Sequence, residues 1–135
     1  MKKIYLTLII GLVFVSACAK EKNILKSIEN LNDEQLDQGI YYEYNYNEEE
    51  LKGSEINVEL ILNNLIENDI PITEAWHKSF ASSCCPPDTN RCMQAIVNPV
   101  FIIKLEEETE LDNFIKVNEP KIGFCAYTIT HYEIE

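Results

Sequence analysis

The chain predicts a small α+β domain, stapled by disulfides, with a mixed sheet of four to five strands and one or two helices. Three observations carry this. β-favouring stretches recur at 40–46, 95–105 and 122–134, alternating in the first and last and continuously apolar in much of the middle one; one stretch, 54–68, repeats its apolar residues at helical spacing; and four cysteines fall in the C-terminal half. At 135 residues there is room for one ordinary domain, and 46% apolar with 25% charged residues is a globular composition.

Within residues 19–39, Ile24, Leu25, Ile28 and Leu31 recur at helical spacing behind Asn23, a suitable N-cap, so the segment reads as a short helix or as a polar tether that ends at Gly39. At 40–46, Ile40, Tyr42, Tyr44 and Tyr46 alternate as in a strand. That tyrosine row is either a half-buried face with its hydroxyls at the rim or a platform for a sugar or peptide. Glu48, Glu49 and Glu50 follow as a solvated turn. Over 54–68, Val58, Ile61, Leu62, Leu65 and Ile66 share one helical face with Ser54 as the cap, which outweighs the rival alternation of Ile56, Val58 and Leu60. Residues 72–80 place Ile72, Trp76 and Phe80 at i, i+4 and i+8, but their β-favouring composition predicts a strand. Residues 95–105 predict another, which Pro99 confines to an edge or a bulge. After a second acidic run (Glu106, Glu107, Glu108, Glu110), residues 109–117 read as a helical turn with Leu111, Phe114 and Ile115 inward. Residues 122–134 form the last predicted strand, with Phe124, Ala126, Thr128, Thr130 and Tyr132 on one face and Cys125, Tyr127, Ile129 and His131 on the other.

The N-terminus carries an address. Lys2 and Lys3 precede an apolar run, Ile4 to Phe14, which ends in Val15-Ser16-Ala17-Cys18 and is closed off by Lys20, Glu21 and Lys22. The apolar run is shorter than the ~20 residues a spanning helix needs, and a positive start, short apolar core and small residues make a secretory signal. Val15-Ser16-Ala17-Cys18 resembles the lipobox of bacterial lipoproteins. The resemblance implies cleavage before Cys18, acyl chains on Cys18, and a lipid-anchored place in the cell envelope. Ala19, rather than Asp, after the acylated residue points by analogy to the outer membrane where the host has one. The chain then divides into a signal peptide (1–17), the acylated Cys18 with a tether or short helix (18–39), and a globular domain (40–135).

In an exported chain the even set Cys84, Cys85, Cys92 and Cys125 predicts two disulfides. A bond between neighbours 84 and 85 is strained, so one of them pairs with Cys92 and the other with Cys125, in an order the sequence leaves open. In the chain-entropy picture the short loop contributes about 2.5 kcal/mol and the long one about 4 kcal/mol. Zinc-ribbon spacing and a C-x-x-C redox pair are both absent. The element order β-α-β-β-α-β suggests a ferredoxin-like sheet, with an all-β sandwich as a further alternative. The cysteines oppose the ferredoxin-like order, because it places Cys125 roughly 25–30 Å from the loop at 84–92, against under ~7 Å for a disulfide. They require the last strand to start at the same end as strand 95–105, parallel to it.

Lys and Arg total 11 against 23 Asp and Glu. Removal of residues 1–17 takes away Lys2 and Lys3 and leaves nine basic residues, a net charge of −14. Such a chain lacks the basic face that nucleic acid requires and is repelled by anionic headgroups, so the acyl chains on Cys18 must hold it at the membrane. No P-loop, H-E-x-x-H, G-x-S-x-G or calcium-loop pattern is present, no catalytic residue and no cofactor are assigned, and His77 and His131 read as partly exposed strand residues. The expected function is non-enzymatic binding of a protein or glycan partner. Its contact surface is the loop between Cys84 and Cys92 with Arg91, the lone arginine, and Asp88; Tyr42, Tyr44 and Tyr46 come next. The alternatives are a thiol-based redox or metal-binding envelope protein and an acidic inhibitor of a basic hydrolase.

Overall fold

A computed structural model describes residues 22–31 and 35–135; the expected signal peptide (1–17) and Cys18 lie outside the described residues. Eight strands and two helices follow in the order β1 (Ile24–Glu29), β2 (Ile40–Tyr44), α1 (Glu48–Leu51), α2 (Val58–Glu67), β3 (Ile72–Lys78), β4 (Ala81–Cys84), β5 (Met93–Val97), β6 (Val100–Leu105), β7 (Phe114–Val117) and β8 (Ile129–Ile134). Six strands form one sheet in the order β1-β8-β3-β6-β2-β7, and β4 with β5 forms a separate hairpin. The protein is α+β and mostly β. Every pairing is antiparallel, which corrects the expected mixed sheet of four to five strands and is neither a ferredoxin-like order nor a sandwich.

The sheet is buried on both faces, and each face has its own core. On one, Val58 and Leu62 of α2 pack on Tyr42, Ala75, Phe101, Ile103 and Tyr132. On the other, Tyr41, Trp76, Ile102 and Ile129 are covered by Leu31, Ile122 and Ala126 from irregular segments. The Leu31 N–H donates to the Ala126 carbonyl at 3.0 Å, so the two covering segments hold one another. The central strand β6 carries four consecutive buried residues, Val100 to Ile103, as a strand covered on both sides must.

The alternation at 40–46 is real: β2 turns Tyr42 to the helix side and Tyr41 to the other. Helix α2 forms as its apolar spacing predicts and strand β3 as its β-favouring composition predicts, though the cap of α2 is Asn57 rather than Ser54, its Oδ1 accepting the Leu60 N–H at 3.0 Å. Five other expectations are corrected. Residues 24–29 are an edge strand paired along its whole length with β8, and with Leu25 and Ile28 exposed their helical spacing is incidental. Glu48–Leu51 is a helical turn, because Asn47 and Glu50 form a reciprocal capping box and three glutamates favour a helix start. The run 95–105 breaks at Asn98-Pro99 into β5 of the hairpin and β6 of the main sheet, since proline has no N–H to give a central ladder. Residues 114–117 are the other edge strand, with Ile115 exposed rather than inward. The last strand starts only at Ile129, and residues 118–128 run irregularly over the Trp76 face.

The cysteine argument survives in altered form. Strand β8 runs in the same direction as β6, but β3 lies between them, antiparallel to both. Strands β6 and β8 therefore start at the pole where β3 ends, which is where the hairpin leaves the sheet.

Candidate functional site

The hairpin is where the chemistry-bearing residues of the sequence converge. Cys84 pairs with Cys125 and Cys85 with Cys92, Cα atoms 5.8 and 4.2 Å apart, so the pairing left open is resolved by burial. Cys84 is 1% exposed and turns inward to the segment that leads into β8, whereas Cys85 and Cys92 are both exposed. A two-stranded hairpin is marginal by itself; this one is tied to the body through Cys84 and closed at its tip through Cys85. The loop is further shaped by Pro86 and Pro87, by the Thr89 N–H donating to the Pro86 carbonyl, and by Thr89 Oγ1 donating to the Arg91 carbonyl at 3.2 Å. Asp88 and Arg91 are exposed and form no ion pair with each other. Met93, Ile96 and Phe124 are 52, 67 and 54% exposed on the hairpin and on the residue before Cys125, so apolar surface surrounds the loop.

The segment before β8 is held by a residue whose role the sequence does not reveal. Lys78, at the end of β3, is buried, and its Nζ donates to the carbonyls of Ile122 and Phe124 at 2.6 and 2.7 Å. Burial pushes its ammonium below the ordinary lysine value. Gly123 and Cys125 both adopt positive φ, 78° and 63°, which turns these carbonyls onto the amine. Periodicity marks Lys78 only as a polar residue in a strand, and its acceptors lie 44 and 46 residues away.

The tyrosine row faces the helix. Tyr42 is buried and its hydroxyl accepts the Thr109 N–H at 3.1 Å. The Tyr44 hydroxyl donates to Glu50 Oε1 at 3.2 Å, and its ring meets Tyr46 and Phe114 edge-on at 4.9 and 5.4 Å. The Tyr46 hydroxyl is buried with no partner among the described residues, and burial with the nearby Glu50 carboxylate pushes its phenol far above the ordinary range. A groove of about 490 Å³ opens beside Tyr44 between α2 and residues 110–114, with Ile61, Leu65 and Phe114 on its walls.

His131 is buried rather than partly exposed, and it joins three strands. Its Nδ1 lies 2.8 Å from Glu29 Oε1 on β1, and its Nε2 lies 2.9 Å from Glu74 Oε2 on β3. Trp76 stacks on the imidazole at 5.0 Å with the planes 6° apart. Glu74 is shared with Lys104 at 3.4 Å, and that ammonium sits over the Tyr41 ring at 5.9 Å. Each ring nitrogen of His131 is in contact with a carboxylate, so neither faces a substrate. His77, on the opposite face, edges onto Phe101 and lines a cavity of about 50 Å³ with Tyr46, Ser54 and Phe80. Its imidazole is held below the ordinary value mainly by burial, with Glu55 acting in the other direction.

No protein-family model, curated protein or solved structure matches this chain. Among the described residues no helix is long and apolar enough to cross a membrane.

Proposed function

We propose that the chain is a lipid-anchored binding module of the bacterial cell envelope, which presents the loop closed by Cys85 and Cys92 to a protein or glycan partner. One observation carries the reading: the end of the domain nearest Cys18 and the end that bears the loop are opposite poles of the sheet. Strand β1 starts beside the end of β8, with Asn23 and Glu135 exchanging backbone bonds at 3.1 and 2.9 Å, and the hairpin departs from the far end, after Lys78. Six residues take the chain from Cys18 to Ile24, a reach of about 20 Å at most. An acyl group on Cys18 thus fixes the β1 pole close to the bilayer and leaves the loop at the other. The loop has what a contact surface needs. It is closed by a disulfide, so binding costs little ordering entropy, and it joins exposed apolar side chains to an arginine that has no ion pair among the described residues.

The test is affinity capture from envelope extract with the wild type and an Arg91→Ala, Asp88→Ala variant, both checked for intact disulfides. Partners recovered by the wild type are expected to be lost from the variant. Equal recovery would show that the loop only closes the hairpin and that contact lies elsewhere.

A further inference from the structure

We infer that Cys85–Cys92 is a thiol-exchange site for small thiols and dithiols, whereas Cys84–Cys125, one residue away, is closed to them. Exchange requires a thiolate to reach a disulfide sulfur, so access decides which bond reacts. Cys85 and Cys92 are both exposed. Cys84 is fully buried, and Cys125, itself half-buried, sits on a segment pinned by the Lys78 ammonium on either side of Gly123. The two bonds are also insulated from each other. Consecutive residues of an extended chain point to opposite sides, here Cys84 inward and Cys85 outward. A Cys85 thiolate set free by reduction therefore faces away from Cys84, and a bond between the two neighbours is strained.

The loop also gives the exchange a direction. Arg91 directly precedes Cys92, is exposed, and has no carboxylate within ion-pair distance among the described residues. A neighbouring cation stabilises a thiolate, and the sulfur with the more stable thiolate leaves faster. The attacking thiolate bonds to Cys85 Sγ, and the Cys85–Cys92 bond breaks with its electron pair passing to Cys92 Sγ, which then takes a proton from water. With a dithiol, the second thiolate attacks its own sulfur in the mixed disulfide and releases Cys85 as a thiol. The reagent departs as a cyclic disulfide, and two electrons have moved to the protein. This site stands whether or not the loop is a partner-binding surface.

The experiment uses the mature protein in native buffer, treated with graded dithiothreitol or with reduced glutathione, quenched in acid, alkylated and mapped by peptide. Dithiothreitol is expected to expose Cys85 and Cys92 while Cys84 and Cys125 stay linked until denaturant is added. Glutathione is expected on Cys85, with Arg91→Gln slowing the reaction several-fold. Labelling of all four cysteines at one dithiothreitol concentration, or of Cys84 and Cys125 first, overturns the site. A glutathione adduct on Cys92, or an unchanged rate in Arg91→Gln, overturns the direction.

Discussion

Glu29 and His131 stand 102 residues apart in the chain and 2.8 Å apart in the fold, and their contact joins the edge strand β1 to the body of the sheet. Glu74 engages the other ring nitrogen at 2.9 Å, and Glu133 lies 4.0 Å from Nδ1. The ring thus lies between carboxylates of two neighbouring strands, with the Trp76 face stacked against it.

Among the described residues strand β1 pairs only with β8, and it exposes most of its side chains, so this contact is a main tie between it and the sheet. His131→Ala is expected to cost about 1.5–3 kcal/mol, the range for buried hydrogen bonds to charged groups. Glu29→Gln is expected to cost less, because Glu29 is more than a third exposed and keeps a neutral acceptor. Urea unfolding measures both. Hydrogen exchange adds a local readout: β1 amides lose protection in His131→Ala before those of β6. Unchanged β1 protection would show that backbone pairing alone holds the strand.

The elements that could be read from the sequence are those whose side chains divide cleanly between core and solvent. Strand β2 alternates because both of its faces pack and each face has a distinct partner, and α2 repeats Val58, Ile61, Leu62 and Leu65 because only one flank meets the sheet. The edge strands β1 and β7 bury too little to impose a period, so Leu25, Ile28 and Ile115 misled. At 95–105 a continuous apolar run concealed a change of sheet at Asn98-Pro99. The cysteine count fixed a distance that local patterns did not, and it was met by β8 and β6 running the same way with β3 between them. The ties of His131 and Lys78 were not legible, since their partners lie 44 to 102 residues away and only the folded topology brings them together.

Lys78 gives a second test. Truncation to Ala removes the donor from the Ile122 and Phe124 carbonyls without replacing it, and an orphaned buried acceptor costs about 1–3 kcal/mol. Lys78→Ala should lower the urea midpoint accordingly, and it should also let dithiothreitol reach Cys84–Cys125 without denaturant. Lys78→Met, which keeps the volume, should recover packing but not the protection of that disulfide. If Cys84–Cys125 stays closed in both variants, the amine does not pin the segment.

Cys18→Ser tests the anchor. The motivation is Val15-Ser16-Ala17-Cys18 behind a short apolar core, and the chain that follows is acidic enough to be repelled by anionic lipid. Two or more acyl chains would hold the wild type stably at the membrane, and without them no other attraction is expected. In fractionated cells the variant should move to the soluble fraction after a high-salt wash, while the wild type sediments with membranes. A variant that still sediments would mean that something other than the acyl group holds the chain.

Alkaline pH tests the tyrosine core. The phenols of Tyr41, Tyr44, Tyr46 and Tyr132 are all pushed above the ordinary value of 10.0, in each case chiefly by burial. Above that value the unfolded chain has lost protons that the folded chain keeps, so stability is fully present below pH 10 and falls as pH rises through the folded values. Lys78 acts oppositely, because its lowered value makes the unfolded chain bind more protons over a window below 10.5, but it is one group against four. The share of tyrosinate absorbance that belongs to these four phenols should therefore rise together with the loss of circular dichroism. Tyr46→Phe refines the test: it removes a buried hydroxyl that has no partner, a group that costs about 1–3 kcal/mol when left unpaired. The variant should be at least as stable as the wild type at neutral pH and less sensitive to base. Tyrosines that ionise near the ordinary value while the fold persists, or a Tyr46→Phe variant markedly less stable than the wild type, would refute this account of the row.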